Sequence, residues 1–258
     1  MMKLICDGAE ISLNGNIVVD SVDYEPYKIK STLVLGERMY DATGTFRGAA
    51  PMRVRITGYI RGDTARAKRE LMALSQVGKL ITLDDGTGYF LDLYATEGLE
   101  LSNAAHLREK VQKFTLRAVA PSSLWHKGEK SQLFYSCAGV STDQNAIKIT
   151  NEGDVSVGAR FKIQAVTKLD SVMLRIGGQR LVYEDGLSSG DFLFIDTRYG
   201  KKSVKLQPSG SSELVSVIEK VTPASEFFEL EKGENRVDFN IKNGMSYITV
   251  YHTPLFMR

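Results

Sequence analysis

Between Arg47 and Arg69 stand seven basic side chains, Arg47, Arg53, Arg55, Arg61, Arg66, Lys68 and Arg69, against one acid, Asp63. Such a cluster can neutralise phosphates, meet another protein surface, or sit in water as a solvated face. A single-strand nucleic-acid site interleaves aromatic rings on which bases stack, and this stretch offers only Tyr59. The cluster therefore reads as a solvated face or a subunit contact, with Arg53, Arg55, Arg66 and Arg69 as the candidate basic groups. Asp84-Asp85-Gly86 sets two carboxylates side by side, but the later acidic ligands of a calcium loop are missing, and a hairpin turn explains the run. His106, His126 and His252 are scattered, with no metal-ligand spacing, so no metal site is expected. No nucleophile elbow, zinc-protease motif, dinucleotide fingerprint or phosphate loop occurs. No catalytic residue and no cofactor site are assigned. Asp185, Asp191 and Asp196 bracket a loop and a strand, and turn capping accounts for the first two.

The whole-chain numbers narrow the classes further. With 258 residues the chain exceeds a typical single domain, so two are expected. A net charge of +2 gives no global attraction for nucleic acid or an anionic membrane. Two cysteines, Cys6 and Cys137, make no disulfide framework and read as buried thiols in a reducing compartment. The first residues are too short for a signal peptide, and no apolar run approaches a membrane span. A soluble protein made in a cytosol is expected.

One amphipathic helix stands out, over about residues 63–78. Ala67, Leu71 and Leu74 recur at helical spacing, while Arg66, Lys68, Arg69 and Gln76 fall mostly opposite. Asp63 or Thr64 serves as the start cap and Gly78 as the left-handed stop. The flanking runs Met52–Ile60 and Leu80–Leu83 are expected to pair around it. Arg53, Arg55 and Thr57 alternate with Val54 and Ile56, which is a strand with one wet face. Further strands are expected at 2–6, 10–13, 17–19, 28–34, 89–96 and 110–119, with a glycine-rich loop at 41–48. Lys127–Asn145 is polar and marks the domain boundary. Beyond it, short strands recur at 146–150, 160–165, 172–176, 179–183, 191–196, 203–206, 227–230, 236–241 and 247–253. Glycine turns separate them, as in a β-sandwich. The single Trp, Trp125, lies in the first half, so a sugar platform in the second would rest on Tyr or Phe. The residues alone give a two-domain, mainly β, soluble, non-enzymatic protein.

Several segments, in order, resemble the distal tail protein of long-tailed, siphovirus-type bacteriophages or prophages. In the first half they are Val54–Tyr59, Lys68–Leu74, Gly78–Asp85 and Phe114–Pro121. In the second they are Ile149–Asp154, Ser189–Thr197 with the Lys201-Lys202 turn, and Phe227–Asn235. The resemblance implies a ring-forming N-terminal domain (1–135), a β-sandwich or split barrel carrying the helix. It implies a galectin-like peripheral β-sandwich (136–258), whose last strand, about 247–256, packs back on the first domain. It also implies a structural tail-tip or baseplate protein, not an enzyme, forming a homo-hexameric ring. That ring joins the tail tube protein to the tail-associated hub protein and anchors host-adhesion components such as a receptor-binding protein. DNA passes through the ring without specific binding, and the protein resides at the virion tail tip after assembly in the bacterial cytoplasm. On this reading Arg53, Arg55, Arg66 and Arg69 meet Asp84 and Asp85 across a subunit interface. The alternative is a stand-alone carbohydrate-binding module with a galectin-like sandwich.

Overall fold

The computed structural model describes residues 2–26, 51–61, 64–102, 111–127, 133–140 and 145–258. The expected strand at 28–34, the loop at 41–48, Arg47, Asp63 and His106 lie outside the described residues, as do the side chains of Thr64 and Cys137. By its contacts the chain divides into two units, Met1–Glu129 with Met257–Arg258, and Lys130–Phe256. No helix among the described residues is long and apolar enough to cross a membrane.

The first unit is built from one open antiparallel sheet. Its strands are β1 (Lys3–Cys6), β2 (Ala9–Ser12), β3 (Ile17–Pro26), β4 (Met52–Arg61), β5 (Leu80–Asp84), β6 (Tyr89–Ala95), β7 (Glu100–Ser102), β8 (Val111–Ala120) and β9 (Leu124–Lys127). The spatial order is β2-β1-β5-β6-β8-β4-β3, with β7 on β8 and β9 on β6. β4 is paired along its whole length with β8, from Met52 opposite Ala120 to Arg61 opposite Val111. Its inward residues Val54, Ile56 and Ile60 are buried while Arg53, Arg55 and Arg61 are exposed, the wet-face alternation expected. Gly58 is required here: a Cβ would stand 2.2 Å from the Val18 carbonyl oxygen and 2.8 Å from the Phe114 ring. β9 was not expected from the sequence. Pro121-Ser122-Ser123 interrupts β8, and the chain re-pairs with the start of β6 through Tyr89–Lys127 and Phe90–His126.

The helix α1 runs over Thr64–Leu74, shorter than the 63–78 expected. Ala67, Leu71 and Leu74 are its buried stripe, and it packs on β4 and β1. Its end is set by Ser75, whose backbone N–H (2.9 Å) and hydroxyl (2.7 Å) both bond the Leu71 carbonyl. Gly78 does adopt φ +82°, but its N–H donates to Ala95 in β6 at 3.0 Å, so it turns the chain into β5 and does not cap the helix. The expected pairing of the two strands flanking the helix is also corrected. β4 and β5 are separated by β8 and β6 in the sheet. The connection that carries the helix spans those strands, and a tight hairpin partner was available to β5 in β6.

The second unit is a sandwich of two antiparallel sheets. One is ordered β10-β19-β12-β15-β16-β17 and the other β11-β18-β13-β14. The first comprises β10 (Leu133–Val140), β12 (Arg160–Ala165), β15 (Phe192–Asp196), β16 (Ser203–Gln207), β17 (Val215–Ser216) and β19 (Met245–His252). The second comprises β11 (Asn145–Asn151), β13 (Ser171–Ile176), β14 (Gln179–Tyr183) and β18 (Gly233–Lys242). A short strand, β20 (Leu255–Met257), ends the chain. Inward residues of both sheets form one core that includes Phe161, Ile163, Leu174, Phe228, Phe239 and Ile248, with Phe161 and Phe228 edge-to-face at 5.6 Å. The expected strand at 227–230 is absent. Phe228 and Leu230 are buried there, but Leu230 makes only an isolated bridge to Val157, so this apolar run plugs the core without joining a ladder.

Buried polar side chains secure the loops. Asn151 is 1% exposed. Its Nδ2 donates to the carbonyls of Val155 (2.9 Å) and Leu230 (3.1 Å), and its Oδ1 accepts from Gly153 N–H (3.0 Å). Asp191 accepts from Ser188 and Ser209 backbone N–H at 2.8 Å each, the turn capping expected of it. Replacing Asn151 by Ala removes three hydrogen bonds and leaves the Gly153 N–H without its acceptor, while the Leu230 carbonyl keeps the Val157 N–H. Asn151→Ala should therefore cost about 2–3 kcal/mol in urea unfolding. His252 is buried in β19, and burial pushes its imidazole below the usual range, against the opposing influence of the Thr150 backbone and the Glu152 charge. A depressed histidine pKa means the fold prefers the neutral ring. The associated stability is intact at pH values above the unfolded value of about 6.5 and is lost as pH falls below it. Wild-type protein should therefore lose more stability between pH 7.5 and 5 than His252→Leu, in paired urea titrations.

Candidate assembly surface

On the wet face of the first sheet, antiparallel register sets charges in rows across β3, β4 and β8. Asp23 lies opposite Arg55, and Arg55 opposite Arg117; Glu25 lies opposite Arg53, and Arg53 opposite Val119. Like charges directly across a ladder repel, so Arg55 and Arg117 need acids on their far sides. Arg117 has them: its guanidinium lies 2.8 Å from Glu97 and 2.9 Å from Glu100. Arg55 has Asp23 as cross-strand neighbour, but among the described residues no carboxylate comes within ion-pair distance of it. Glu25, Arg53, Arg55, Glu97 and Arg117, with Thr96 and Ala118, line an open groove over the sheet.

The basic cluster read from the sequence is divided by the fold. Arg53 and Arg55 lie at the groove. Arg66 is exposed at the other end of β4, where α1 faces the turn Gly15-Asn16, and is ion-paired to Glu70 at 2.8 Å. Arg69 is exposed on the helix. Asp84 and Asp85 belong to neither place. They form the β5–β6 hairpin turn, Asp84 accepting Gly86 N–H at 2.7 Å and Asp85 accepting Thr87 N–H at 2.8 Å. Burial raises the Asp85 carboxyl, but the Thr87 hydrogen bonds, the Arg258 charge and the Tyr89 N–H together hold it below the usual carboxylate range.

Arg258 is the feature sequence reasoning missed. The last side chain of the chain is ion-paired to Asp85, lies 3.1 Å from the Thr87 hydroxyl, and stands over two rings, 4.3 Å from the Tyr89 centroid and 5.8 Å from that of Trp125. Tyr24 meets Trp125 edge-on at 6.0 Å. Four segments far apart in sequence thus close one cation-filled aromatic box in the first unit. No periodicity or spacing signals it. Nearby, His126 stacks on Phe90 at 5.8 Å with Nε2 3.7 Å from the Asp92 carboxylate, and the His126 hydrogen bond chiefly holds Asp92 low. Among the described residues no three His, Cys, Asp or Glu side chains converge as a metal site. Cys6 is buried, and burial pushes its thiol up.

Residues 152–256 match the model of the siphovirus-type tail component, C-terminal domain. The second unit is thus similar to the C-terminal domain of siphovirus-type tail components. This bears out the resemblance to the distal tail proteins. Its fold is similar to the crystal structure of the SPP1 Dit (gp 19.1) protein, described as a paradigm of the hub adsorption apparatus in phages that infect Gram-positive bacteria. The two share 12% identity over 99% of each chain, with a TM-score of 0.64. A chain of the phage P2 baseplate in its activated conformation with Ca is similar at 9% identity over 97% of this chain and 98% of that one, with a TM-score of 0.44. No curated protein matches the sequence.

The Arg258 box is partly open to solvent, so its cation–π contacts are worth roughly 0.5–1 kcal/mol each. Arg258→Ala should cost about 1 kcal/mol and move the emission of Trp125, the sole tryptophan of the chain, to longer wavelength. A urea titration followed by tryptophan fluorescence reads both.

Proposed function

We propose that this tail component is a structural baseplate protein whose copies close as a six-membered ring between the tail tube protein and the tail-associated hub protein. Its second unit holds host-adhesion components such as a receptor-binding protein. It is not an enzyme. DNA passes through the ring without specific contacts, and the protein is assembled in the bacterial cytoplasm before it takes its place at the tail tip. The observation that carries the reading is the match of residues 152–256 to the tail-component family. The charged groove adds a physical argument. A ring of identical subunits needs a heterologous contact that closes by rotation. Exposed ion pairs contribute only about 0–1 kcal/mol to a fold, so the rows of charge over β3, β4 and β8 are not needed to hold the first unit together. Their use is specificity and register against another surface. Arg53 and Arg55 are the proposed interface residues, with Arg66 and Arg69 on the helix as a second contact and Asp84 and Asp85 as the acidic counterpart. Asp85 is already matched by its own chain's Arg258, which ranks it below Asp84 in that role.

The test is the mass of the purified protein by light scattering, with negative-stain images of the same sample. A six-fold ring with a central hole is expected. The pair Arg53→Glu and Arg55→Glu should abolish the ring and leave the circular dichroism spectrum of the subunit unchanged, with only a small drop in melting temperature from the new like-charge pairs with Glu25 and Asp23. Rings that form normally from that variant would remove the groove from the interface.

A further inference from the structure

The two outward faces of the second unit are built differently. On the four-stranded sheet several outward charges are paired: Arg175 and Arg236 both bond Asp238, at 2.9 and 2.7 Å, and Lys148 lies 3.0 Å from Glu234, while Arg180 stands across from Arg175. No aromatic side chain points outward there among the described residues. The six-stranded sheet has the opposite character. Its register sets Thr249, Lys162, Phe194 and Lys205 in one row across β19, β12, β15 and β16. The row on one side is Tyr251, Arg160, Asp196 and Ser203, and on the other Tyr247, Gln164, Phe192 and Gln207. Phe194 therefore has a lysine directly across from it on both neighbouring strands, at a cross-strand Cβ spacing of about 5 Å.

The cations on this face rest on rings. Lys162 Nζ lies 4.5 Å from the Phe192 centroid and 6.0 Å from that of Phe194, and the Arg160 guanidinium lies 5.7 Å from that of Tyr251. Among the described residues no carboxylate comes within ion-pair distance of Arg160, Lys162 or Lys205, and the one acid of the rows, Asp196, is bidentately taken by Arg198 at 2.6 and 2.9 Å. At the β17 end of the sheet, Leu214, Val215 and Ile218 are 49%, 46% and 45% exposed. Leu214 lines the same groove as Lys162 and Phe194.

The geometry points to a docking surface for an acidic segment of another protein, with carboxylates spaced between apolar or aromatic side chains. The charge is complementary: among the described residues Lys162 and Lys205 have no carboxylate within ion-pair distance, and Arg160 has only Asp196 across the ladder, which Arg198 already holds. A bound carboxylate draws Lys162 off its ring, and the freed Phe192 and Phe194 faces then take an apolar side chain. The exposed Leu214, Val215 and Ile218 margin fits protein side chains and gives nothing for a sugar hydroxyl or a phosphate to bond. Aromatic residues and Arg are the types enriched at protein interfaces. This inference deepens the baseplate reading and rests on it only for the partner being another tail protein.

The probe is a fluorescein-labelled glutamate–tyrosine copolymer, titrated with the full chain at physiological ionic strength and read by anisotropy. Poly-L-glutamate, dextran sulfate and oligo(dT) serve as comparison probes. The copolymer should bind about tenfold tighter than poly-L-glutamate. Lys162→Gln with Lys205→Gln should weaken both by about tenfold or more. Phe194→Ala should erase the preference for the copolymer while keeping poly-L-glutamate binding. Phe194→Leu, which keeps apolar volume, controls for lost packing and should retain part of the preference. Equal binding of oligo(dT) or dextran sulfate would mark a general polyanion surface and overturn the proposal, as would affinities unchanged in the double lysine variant. Ring formation is a separate readout. Intact rings with flat titrations would sink this face alone, and binding without rings would leave the face standing and remove the ring.

Discussion

The first unit depends on the ten-residue antiparallel pairing of β4 with β8. Strand side chains alternate between faces, so once this register is set, every residue of both strands is committed to the core or to water. Val54, Ile56 and Ile60 go inward with Phe114, Leu116 and Ala118, and Arg53, Arg55 and Arg117 go outward. A slip of one residue would bury three arginines. The same register brings β3 to the other side of β4, where Gly58 leaves room for the Val18 carbonyl and the Phe114 ring. The charged groove is a consequence of core packing on the opposite face, not a separate construction.

The second unit obeys the same alternation with a different result on its two surfaces. Both sheets send apolar residues into one shared core. The four-stranded sheet carries charged and polar side chains outward, several of them ion-paired, which suits water. The six-stranded sheet covers half-buried rings with cations. Cation–π contacts of this kind are worth about 0.5–1 kcal/mol at an exposed site, too little to explain aromatic side chains on a surface by stability alone. Buried polar side chains such as Asn151 and Asp191 hold the loops so that these faces keep their shape.

The two units also differ in how they end. In the first, separate turns of chain meet at a boxed cation, where Tyr24, Tyr89, Trp125 and Asp85 surround Arg258. In the second, core closure falls to an apolar run without ladder pairing, in which Phe228 packs on Phe161. Among the described residues two open grooves lie over sheet faces and a third lies between α1 and the β2–β3 turn.

Much of this was legible in the sequence because it is local. The alternation of Arg53, Val54, Arg55 and Ile56 gave a strand with one wet face; the spacing of Ala67, Leu71 and Leu74 gave the helix and its buried stripe; glycine turns gave the strand spacing of the sandwich. The ordered segments from Val54 to Asn235 carried the resemblance to the distal tail proteins. Other features rest on long-range partners that no local pattern encodes. The helix stops at Leu74 because the Ser75 hydroxyl takes the Leu71 carbonyl while Gly78 turns to Ala95. The sheet order puts β8 and β6 between the strands that flank the helix, since each strand pairs with whichever neighbour completes its hydrogen bonds and covers its apolar face. The basic cluster of the sequence is split between the two ends of β4, and Asp85 finds its partner in Arg258. The sequence alone determined which residues are apolar, charged or turn-forming, and hence each element's faces. Only the tertiary structure decided which faces meet, because cross-strand register and chain-end contacts join residues more than a hundred positions apart.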